Sequence, residues 1–208
     1  MPTTTIDVPL ARAHFYGFVA RAFRYPDEAM MRELAEALPA LALAAEALAD
    51  PPLEETVDRF SQALATLELE DVQREYSKLF TGQKSNPVNE GDYDKAPFSM
   101  ANRLADIAAF YRAFGLAIAE DAGERVDFVG SEADFLHAVL LKGYHAAQQG
   151  WEEPARICRE AETEFLQEHF LWWVPRMAEG LSQREGFYGA LGTLLREFTR
   201  GEGERCAS

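Results

Sequence analysis

Residues 7–26, Asp-Val-Pro-Leu-Ala-Arg-Ala-His-Phe-Tyr-Gly-Phe-Val-Ala-Arg-Ala-Phe-Arg-Tyr-Pro, decide the fold class of this chain. Asp7 is a residue type that caps helix N-termini, and Pro9 falls in the first turn, where its missing N–H does no harm. The apolar residues recur at the spacing of one helix face: Phe15, Phe18, Val19, Ala22 and Phe23. The stretch therefore predicts a helix that begins near Asp7 and ends before Pro26.

The rest of the chain repeats this helical spacing, and no segment shows the sustained alternation of a half-buried strand. We therefore predict an all-α protein: one globular helical domain of roughly eight to ten helices over residues 1–200, followed by a flexible tail at 201–208. Proline is expected to divide the helix around Pro39 into two and to break another helix at 173–175. Ser131 is expected to cap a helix that begins there.

Turn-forming residues concentrate in one long stretch, residues 81–97. Helix is expected to resume near Phe98 and to stop at Gly115, and a later helix is expected to stop at Gly150. Long loops inside compact domains are often functional, so this stretch is a candidate part of a site.

The composition is that of a folded acidic protein. Thirty-five acidic residues against twenty basic residues give a formal net charge of −15 over 208 residues. This charge repels phosphate backbones, so we predict no nucleic-acid ligand; it favours a basic partner or simply solubility, and charge alone does not choose between the two. Two cysteines are too few for a disulfide framework, and no apolar run approaches the roughly 18 residues of a membrane span. We expect a cytoplasmic protein without stable membrane insertion.

Motifs for bond chemistry are missing from the sequence. His137 and His145 lie eight residues apart, which separates them by about 12 Å along a helix, and the other two histidines are isolated in the sequence. We predict no metal and no cofactor. The serines lie in no nucleophile elbow, and no glycine-rich phosphate loop occurs. A binding function is therefore the leading hypothesis, and the chain is predicted not to be an enzyme.

A short charged loop between two helical segments is the best candidate for a binding surface. Acidic residues cluster in this loop and in the first turn of the following helix: Glu124, Asp127, Glu132 and Asp134. They could simply complement the dipole of that helix, or they could also pair with arginines of a bound peptide. Aromatic residues nearby could belong to the core or line a groove, and the sequence does not separate these two roles.

Several segments together resemble the TorD/DmsD/NarJ family of chaperones that mature molybdenum-containing oxidoreductases. Residues 75–80 look like the family's helix ending in tyrosine, leucine and phenylalanine, and residues 105–116 are very similar to a helix of relatives that serve enzymes of the dimethyl-sulfoxide-reductase class. Residues 165–177 resemble the family's late motif of Phe, Leu, His, Trp and Pro. In the long loop, Pro87, Glu90 and Tyr93 match the family pattern, whereas Asn89 stands where a tyrosine is usual.

The charged loop corresponds to the family's signature Glu-x-Pro-Asp-His. It keeps both acids, Glu124 and Asp127, and has Val126 and Phe128 in place of the proline and the histidine. The resemblance implies a TorD-like helical fold and a chaperone that binds the apo catalytic subunit of a molybdopterin oxidoreductase, and usually its twin-arginine leader, until the cofactor is inserted. Cofactor-biosynthesis proteins are a further implied partner, and the chain would act as a monomer or a homodimer.

The resemblance and the residue types together give a predicted leader site with two parts. The acidic rim comprises Glu90, Glu124, Asp127 and Glu132. The aromatic groove comprises Tyr76, Phe80, Tyr93, Tyr111 and Phe128. Two alternatives remain: a chaperone for a non-exported reductase subunit that lacks the twin-arginine pair, and a helical nucleotide hydrolase.

Overall fold

The computed structural model describes residues 6–81, 86–94, 100–118 and 123–207. Within these ranges the chain forms nine α-helices and no strand longer than an isolated bridge. The all-α prediction is confirmed. The helices are α1 (Val8–Ala22), α2 (Glu28–Leu48), α3 (Pro51–Leu64), α4 (Leu69–Phe80), α5 (Met100–Ala113), α6 (Val129–Gln148), α7 (Glu152–Phe165), α8 (Leu171–Ser182) and α9 (Gly186–Ala207).

Several helix ends follow from local sequence. The Asp27 side chain accepts a hydrogen bond from the Met30 N–H at 2.7 Å and so caps α2. Gly115 follows α5 with a φ of 71°, a left-handed conformation that glycine adopts at little cost. The predicted loop at 81–97 lies partly outside the described residues, and the predicted helix start at Phe98 lies wholly outside them.

Proline breaks no helix where the sequence predicted it. α2 continues through Pro39. Proline has no N–H to donate to the Ala35 carbonyl, but both residues face solvent, where water can replace the lost hydrogen bond. Leu34 and Leu41 keep the opposite face of the helix buried. α8 likewise continues through Pro175, and the irregularity lies earlier, in a π-turn at Leu166–Phe170 that joins α7 to α8.

Two further predictions differ from the structure. α6 begins at Val129, so Ser131 is a buried residue of its first turn and not a cap. The tail does not fray at 201, because α9 runs to Ala207 and its buried Glu202 accepts hydrogen bonds from Arg12 Nε (2.8 Å) and the Tyr16 hydroxyl (2.5 Å). This contact with α1 holds the last turns of α9 in place.

The core is built around α1, which packs mainly against α6 and α2, while α9 packs against α8 and α3. Stacked and edge-on rings fill the interior, as in the pair Phe15–Phe198 with ring centroids 4.7 Å apart. Among the described residues, no helix combines the length and the apolar character needed to cross a bilayer. The end of α5, the start of α6 and the two loops before them meet on one side of this core, and they position the candidate site.

Candidate functional site

Two loops that are far apart in the sequence are joined beneath the site. Asn89 and Phe128 form an isolated antiparallel bridge. The Glu90 N–H donates to the Asp127 carbonyl, and the Val129 N–H donates to the Val88 carbonyl, both at 2.9 Å. The described part of the long loop, residues 86–94, and the charged loop are therefore one structural unit.

Asp127 lies inside this unit with no exposed surface. Its carboxylate accepts two hydrogen bonds from Arg125, Nε at 2.8 Å and Nη2 at 2.7 Å, and a third from the Gly91 N–H at 2.9 Å. A Cβ added at Gly91 would meet Arg125 Nη2 at 3.0 Å and Asp127 Oδ2 at 3.1 Å, so a larger residue here would have to displace these two side chains by a few tenths of an ångström. Asp127 thus holds the two loops together.

Glu90 is also fully buried and has three side-chain partners. Oε1 accepts hydrogen bonds from Arg103 Nη1 at 2.8 Å and from Trp172 Nε1 at 2.5 Å, and Oε2 lies 3.2 Å from His169 Nδ1. These partners come from α5, from the π-turn and from α8. Glu90 therefore connects the long loop to three other parts of the fold.

Glu132, the third buried carboxylate, has a single hydrogen-bond partner. Its Oε2 accepts from Trp173 Nε1 at 3.1 Å, while Oε1 has no partner. Burial, followed by the nearby charge of Glu90, raises the pKa of Glu132 well above its usual range. We refer to Glu90, Asp127 and Glu132 together as the buried carboxylate hub.

Glu124, in contrast, is exposed and borders an open pocket of about 430 Å³. We call this the Glu124 pocket. Its described lining includes carboxylates and apolar groups from α5, α6 and the segments between them: Tyr111, Leu116, Ile118, Glu124, Asp134 and Phe135. The pocket therefore combines negative charge with apolar surface.

The two pocket carboxylates influence each other. Partial burial raises the pKa of Glu124, and the neighbouring charge of Asp134 raises it further. Burial also raises the pKa of Asp134, while His137, Arg21 and Arg24 lower it. Among the described residues, no cation forms a salt bridge with either carboxylate, so the two negative charges at one pocket favour a cationic ligand.

The predicted aromatic residues fall into two groups. Tyr111 forms part of the pocket wall, with its hydroxyl donating to the Val126 carbonyl at 2.8 Å. Tyr76 is half-buried, and Glu124 is close enough to raise the pKa of its phenol after the larger effect of burial. Tyr76 packs edge-on against Phe80 (ring centroids 5.2 Å apart) and against the exposed Tyr25 (5.3 Å).

The remaining two aromatics lie beside the hub. The Tyr93 hydroxyl donates to the Pro87 carbonyl at 2.9 Å, and its ring lies against Trp173. Phe128 is buried at the bridge. The structure therefore brings the half-buried Tyr76 near the exposed Glu124 and keeps the buried Tyr111 in the pocket wall. Phe80 and Phe128 are buried and Tyr93 is half-buried, so these three do not line the pocket.

Sequence reasoning left three functional candidates out of the predicted site. Tyr25 and Asp134 extend the pocket surface, and Asp134 was recognised only as part of the acidic cluster. His169 is isolated in the sequence but not in the fold: Asp106, Glu168 and His169 form a group with metal-ligand chemistry among the described residues. The i+4 spacing of Ser131 and Phe135 could have indicated which face of α6 carries the pocket. His169 lies in the late motif at 165–177, but that motif does not indicate its contact with Asp106.

Comparisons with known proteins agree with this fold. The chain is 28% identical over 201 residues to the selenate reductase assembly chaperone protein of Thauera selenatis, covering 96% of this chain and 92% of the relative. It is 27% identical over 158 residues to the chaperone protein TorD of Photobacterium profundum, covering 71% and 72%. These relatives are named as chaperones and not as catalytic enzymes, which agrees with the prediction that the chain is not an enzyme.

A solved structure from Archaeoglobus fulgidus, assigned to redox enzyme maturation, superposes with a TM-score of 0.62 at 18% identity and covers 90% of this chain and 93% of its own. That likeness concerns the fold. The family model described as nitrate reductase delta subunit matches residues 27–179. The resemblance to TorD/NarJ-type proteins is confirmed, and the chain belongs to the nitrate reductase delta subunit family.

Proposed function

We propose that this protein is an assembly chaperone for the apo catalytic subunit of a molybdenum-containing oxidoreductase, and that it binds the subunit's N-terminal twin-arginine leader at the Glu124 pocket. The chaperone class is supported by the names of the relatives. The observation that carries the leader site is the exposed carboxylate pair, Glu124 and Asp134, beside an apolar pocket.

Paired arginines match the carboxylates. An arginine guanidinium can form two parallel hydrogen bonds with one carboxylate, so two arginines can engage Glu124 and Asp134 in turn. Arginine binding would also relieve the repulsion by Asp134, which adds to the larger effect of burial in raising the pKa of Glu124. The electrostatic part of the affinity should weaken as salt concentration rises.

The apolar stretch that follows the arginines in such leaders has a surface available beside the carboxylates. Leu116, Ile118 and Phe135 line the pocket itself. Tyr76 and the exposed Tyr25 continue the aromatic surface past Glu124. Aromatic and aliphatic side chains beside a charged rim are typical of sites for an apolar peptide segment.

The buried carboxylate hub has a different part in this proposal. Glu90, Asp127 and Glu132 have no exposed surface, so in this conformation they cannot touch a leader. Direct contact between them and leader arginines, as the sequence predicted, would require the two loops to separate. We propose instead that the hub fixes the loops and so sets the position of Glu124, and that Tyr93 and Phe128 support the same loops from below.

Titration of the purified full-length chain with a fluorescent leader peptide tests the proposal. The peptide carries an arginine pair followed by an apolar stretch, and anisotropy gives its Kd. We expect the Glu124→Gln/Asp134→Asn double variant to bind about tenfold more weakly or worse, equivalent to ~1.4 kcal/mol or more, with unfolding by urea unchanged. Glu164→Gln and Asp58→Asn, which alter exposed acids outside the pocket, are the matched controls.

A second peptide distinguishes the type of client. If the arginine pair is replaced by lysines, we expect weaker binding because lysine lacks the planar fork of donors. Equal binding of both peptides, with the double variant still defective, would indicate a client subunit without a twin-arginine requirement. Full binding of the arginine peptide by the double variant would remove the Glu124 pocket as the leader site.

A further inference from the structure

We propose that Asp106, Glu168 and His169 bind one divalent transition-metal ion of the zinc class. One ligand atom from each side chain, the imidazole nitrogen and a carboxylate oxygen from each acid, lies within 4.8 Å of the other two. The three residues line an open cavity between α5 and the π-turn, which is separate from the Glu124 pocket. This site goes beyond the proposed leader function and does not depend on it.

His169 is oriented as a metal ligand would be. It is 2% exposed, and its Nδ1 lies 3.2 Å from Glu90 Oε2, so a neutral ring donates the Nδ1 hydrogen to Glu90. A carboxylate on the far nitrogen is the usual arrangement that fixes the tautomer of a metal-binding histidine. The Nε2 lone pair is then directed into the cavity.

Nε2 itself has no hydrogen bond, although it lies 3.3 Å from Asp106 Oδ2. In the tautomer with its hydrogen on Nδ1, the ring presents a lone pair on Nε2 to a carboxylate oxygen, which is a repulsive pairing. A cation between the two atoms turns this repulsion into attraction. A proton on Nε2 would do the same, and it is the alternative that the experiment below excludes.

The distances suit a small ion. Zinc bonds of about 2.0–2.2 Å at tetrahedral angles place neighbouring ligand atoms about 3.3–3.6 Å apart. The separation of 3.3 Å between His169 Nε2 and Asp106 Oδ2 already meets this requirement. The carboxylate oxygen of Glu168 lies within 4.8 Å of the other two ligand atoms. Because Glu168 is exposed, its side chain can rotate and bring this oxygen to the required separation of about 3.3–3.6 Å.

The backbone explains why two consecutive side chains reach one site. Glu168 and His169 both belong to the π-turn at Leu166–Phe170, where the extra residue changes the direction of successive side chains. Such π-turns occur frequently at functional sites. Arg103 also borders the cavity, but its charge is paired with Glu90 and Asp94, and its guanidinium lies over the Trp172 ring at 4.8 Å.

The donor set determines the class of metal. One imidazole and two carboxylates without a thiolate favour Zn²⁺ and its neighbours Fe²⁺, Co²⁺ and Ni²⁺ over Mg²⁺ and Ca²⁺, which prefer all-oxygen sites. Three protein ligands leave at least one coordination position for water or for a group of a partner.

Calorimetric titration of the full-length, tag-free protein with Zn²⁺ tests the proposal, and the visible spectrum of added Co²⁺ reports the ligand geometry. We expect about one ion per chain. Asp106→Asn and Glu168→Gln each remove one ligand from an exposed position, so they should fold normally and bind Zn²⁺ about tenfold more weakly or worse. Asp58→Asn and Glu164→Gln are controls with the same chemical change at exposed positions outside the cavity.

The proposal is overturned if Zn²⁺ in large excess gives no heat, or if Asp106→Asn and Glu168→Gln bind it as tightly as the controls do. The first result would leave the shared proton between His169 and Asp106 as the explanation of the geometry. Leader binding by Glu168→Gln should equal that of the parent, so failure of the metal site and failure of the leader site are separate observations.

Discussion

Two sets of carboxylates lie within one short segment of this chain, and they have opposite surroundings. Glu124 and Asp134 are exposed and border a pocket, whereas Asp127 and Glu132, which lie between them in the sequence, are fully buried. Asp127 is paired with Arg125 and Gly91, and Glu132 accepts from Trp173. Proximity in the sequence therefore does not indicate a shared role.

The difference in burial indicates that the buried and the exposed carboxylates have separate roles. A buried carboxylate with specific donors contributes to the shape of the fold, and its loss leaves those donors without a partner. An exposed pair without dedicated cations keeps its charge available for a ligand. Mutations should accordingly separate stability from binding.

The largest expected effect is on stability, at the centre of the hub. Glu90→Ala removes the shared acceptor of Arg103, Trp172 and His169. Because Arg103 and His169 would be left in a largely buried environment, we expect the free energy of unfolding to fall by roughly 3–5 kcal/mol. Urea denaturation followed by circular dichroism measures this change.

The exposed Glu164→Ala serves as the control for that experiment and should stay within about 0.5 kcal/mol of the parent. A Glu90→Ala variant as stable as this control would show that the hub is not needed for the fold.

The second effect depends on pH. The pKa of Glu132 is raised in the folded protein, so between the usual carboxyl value of about 4.3 and the raised value only the unfolded chain is ionised. The contribution of Glu132 to the free energy of unfolding is therefore fully present below the pKa of the unfolded chain. It is lost as the pH rises through that window, by up to about 1.4 kcal/mol per pH unit.

Glu132→Gln tests this sign. Glutamine cannot ionise, and its amide oxygen can still accept from Trp173. We expect the stability of Glu132→Gln relative to the parent to increase from pH 4 to pH 7 in parallel urea titrations. A difference that stays constant over this range would contradict the raised pKa.

The smallest effect concerns the aromatic edge of the pocket. Tyr25 is 58% exposed and contacts Tyr76 edge-on, so Tyr25→Ala should lower the free energy of unfolding by only about 0.5–1 kcal/mol. If this ring contacts the leader, affinity should fall about two- to fivefold. Unchanged affinity in the anisotropy assay would restrict the leader to the pocket proper.

Much of the fold could be predicted from local sequence. The helical spacing of apolar residues indicated the all-α class, and Gly115 marked the end of α5. The continuous helices through Pro39 and Pro175 could not be predicted, because packing of the surrounding apolar faces outweighs the local cost of proline. The helical conformation of the last turns of α9 could not be predicted either, because it depends on the contact between Glu202 and Arg12 of α1.

The candidate site was predicted less completely. The sequence located the two loops that form it, and it grouped the acids that lie near them. It could not show that Glu90 is surrounded by Arg103, Trp172 and His169, since these residues are 13, 82 and 79 positions away. Burial of a carboxylate is set by such distant partners, and its own neighbours in the chain do not reveal them.

A charge exchange at Glu124 tests most directly the claim that leader arginines bind in its pocket. The Glu124→Arg variant should lose binding of the leader with the arginine pair and should bind a leader in which that pair is replaced by glutamates, which the parent rejects. Circular dichroism and urea unfolding should show the parent fold. Undiminished binding of the arginine leader by a folded Glu124→Arg variant would contradict the account.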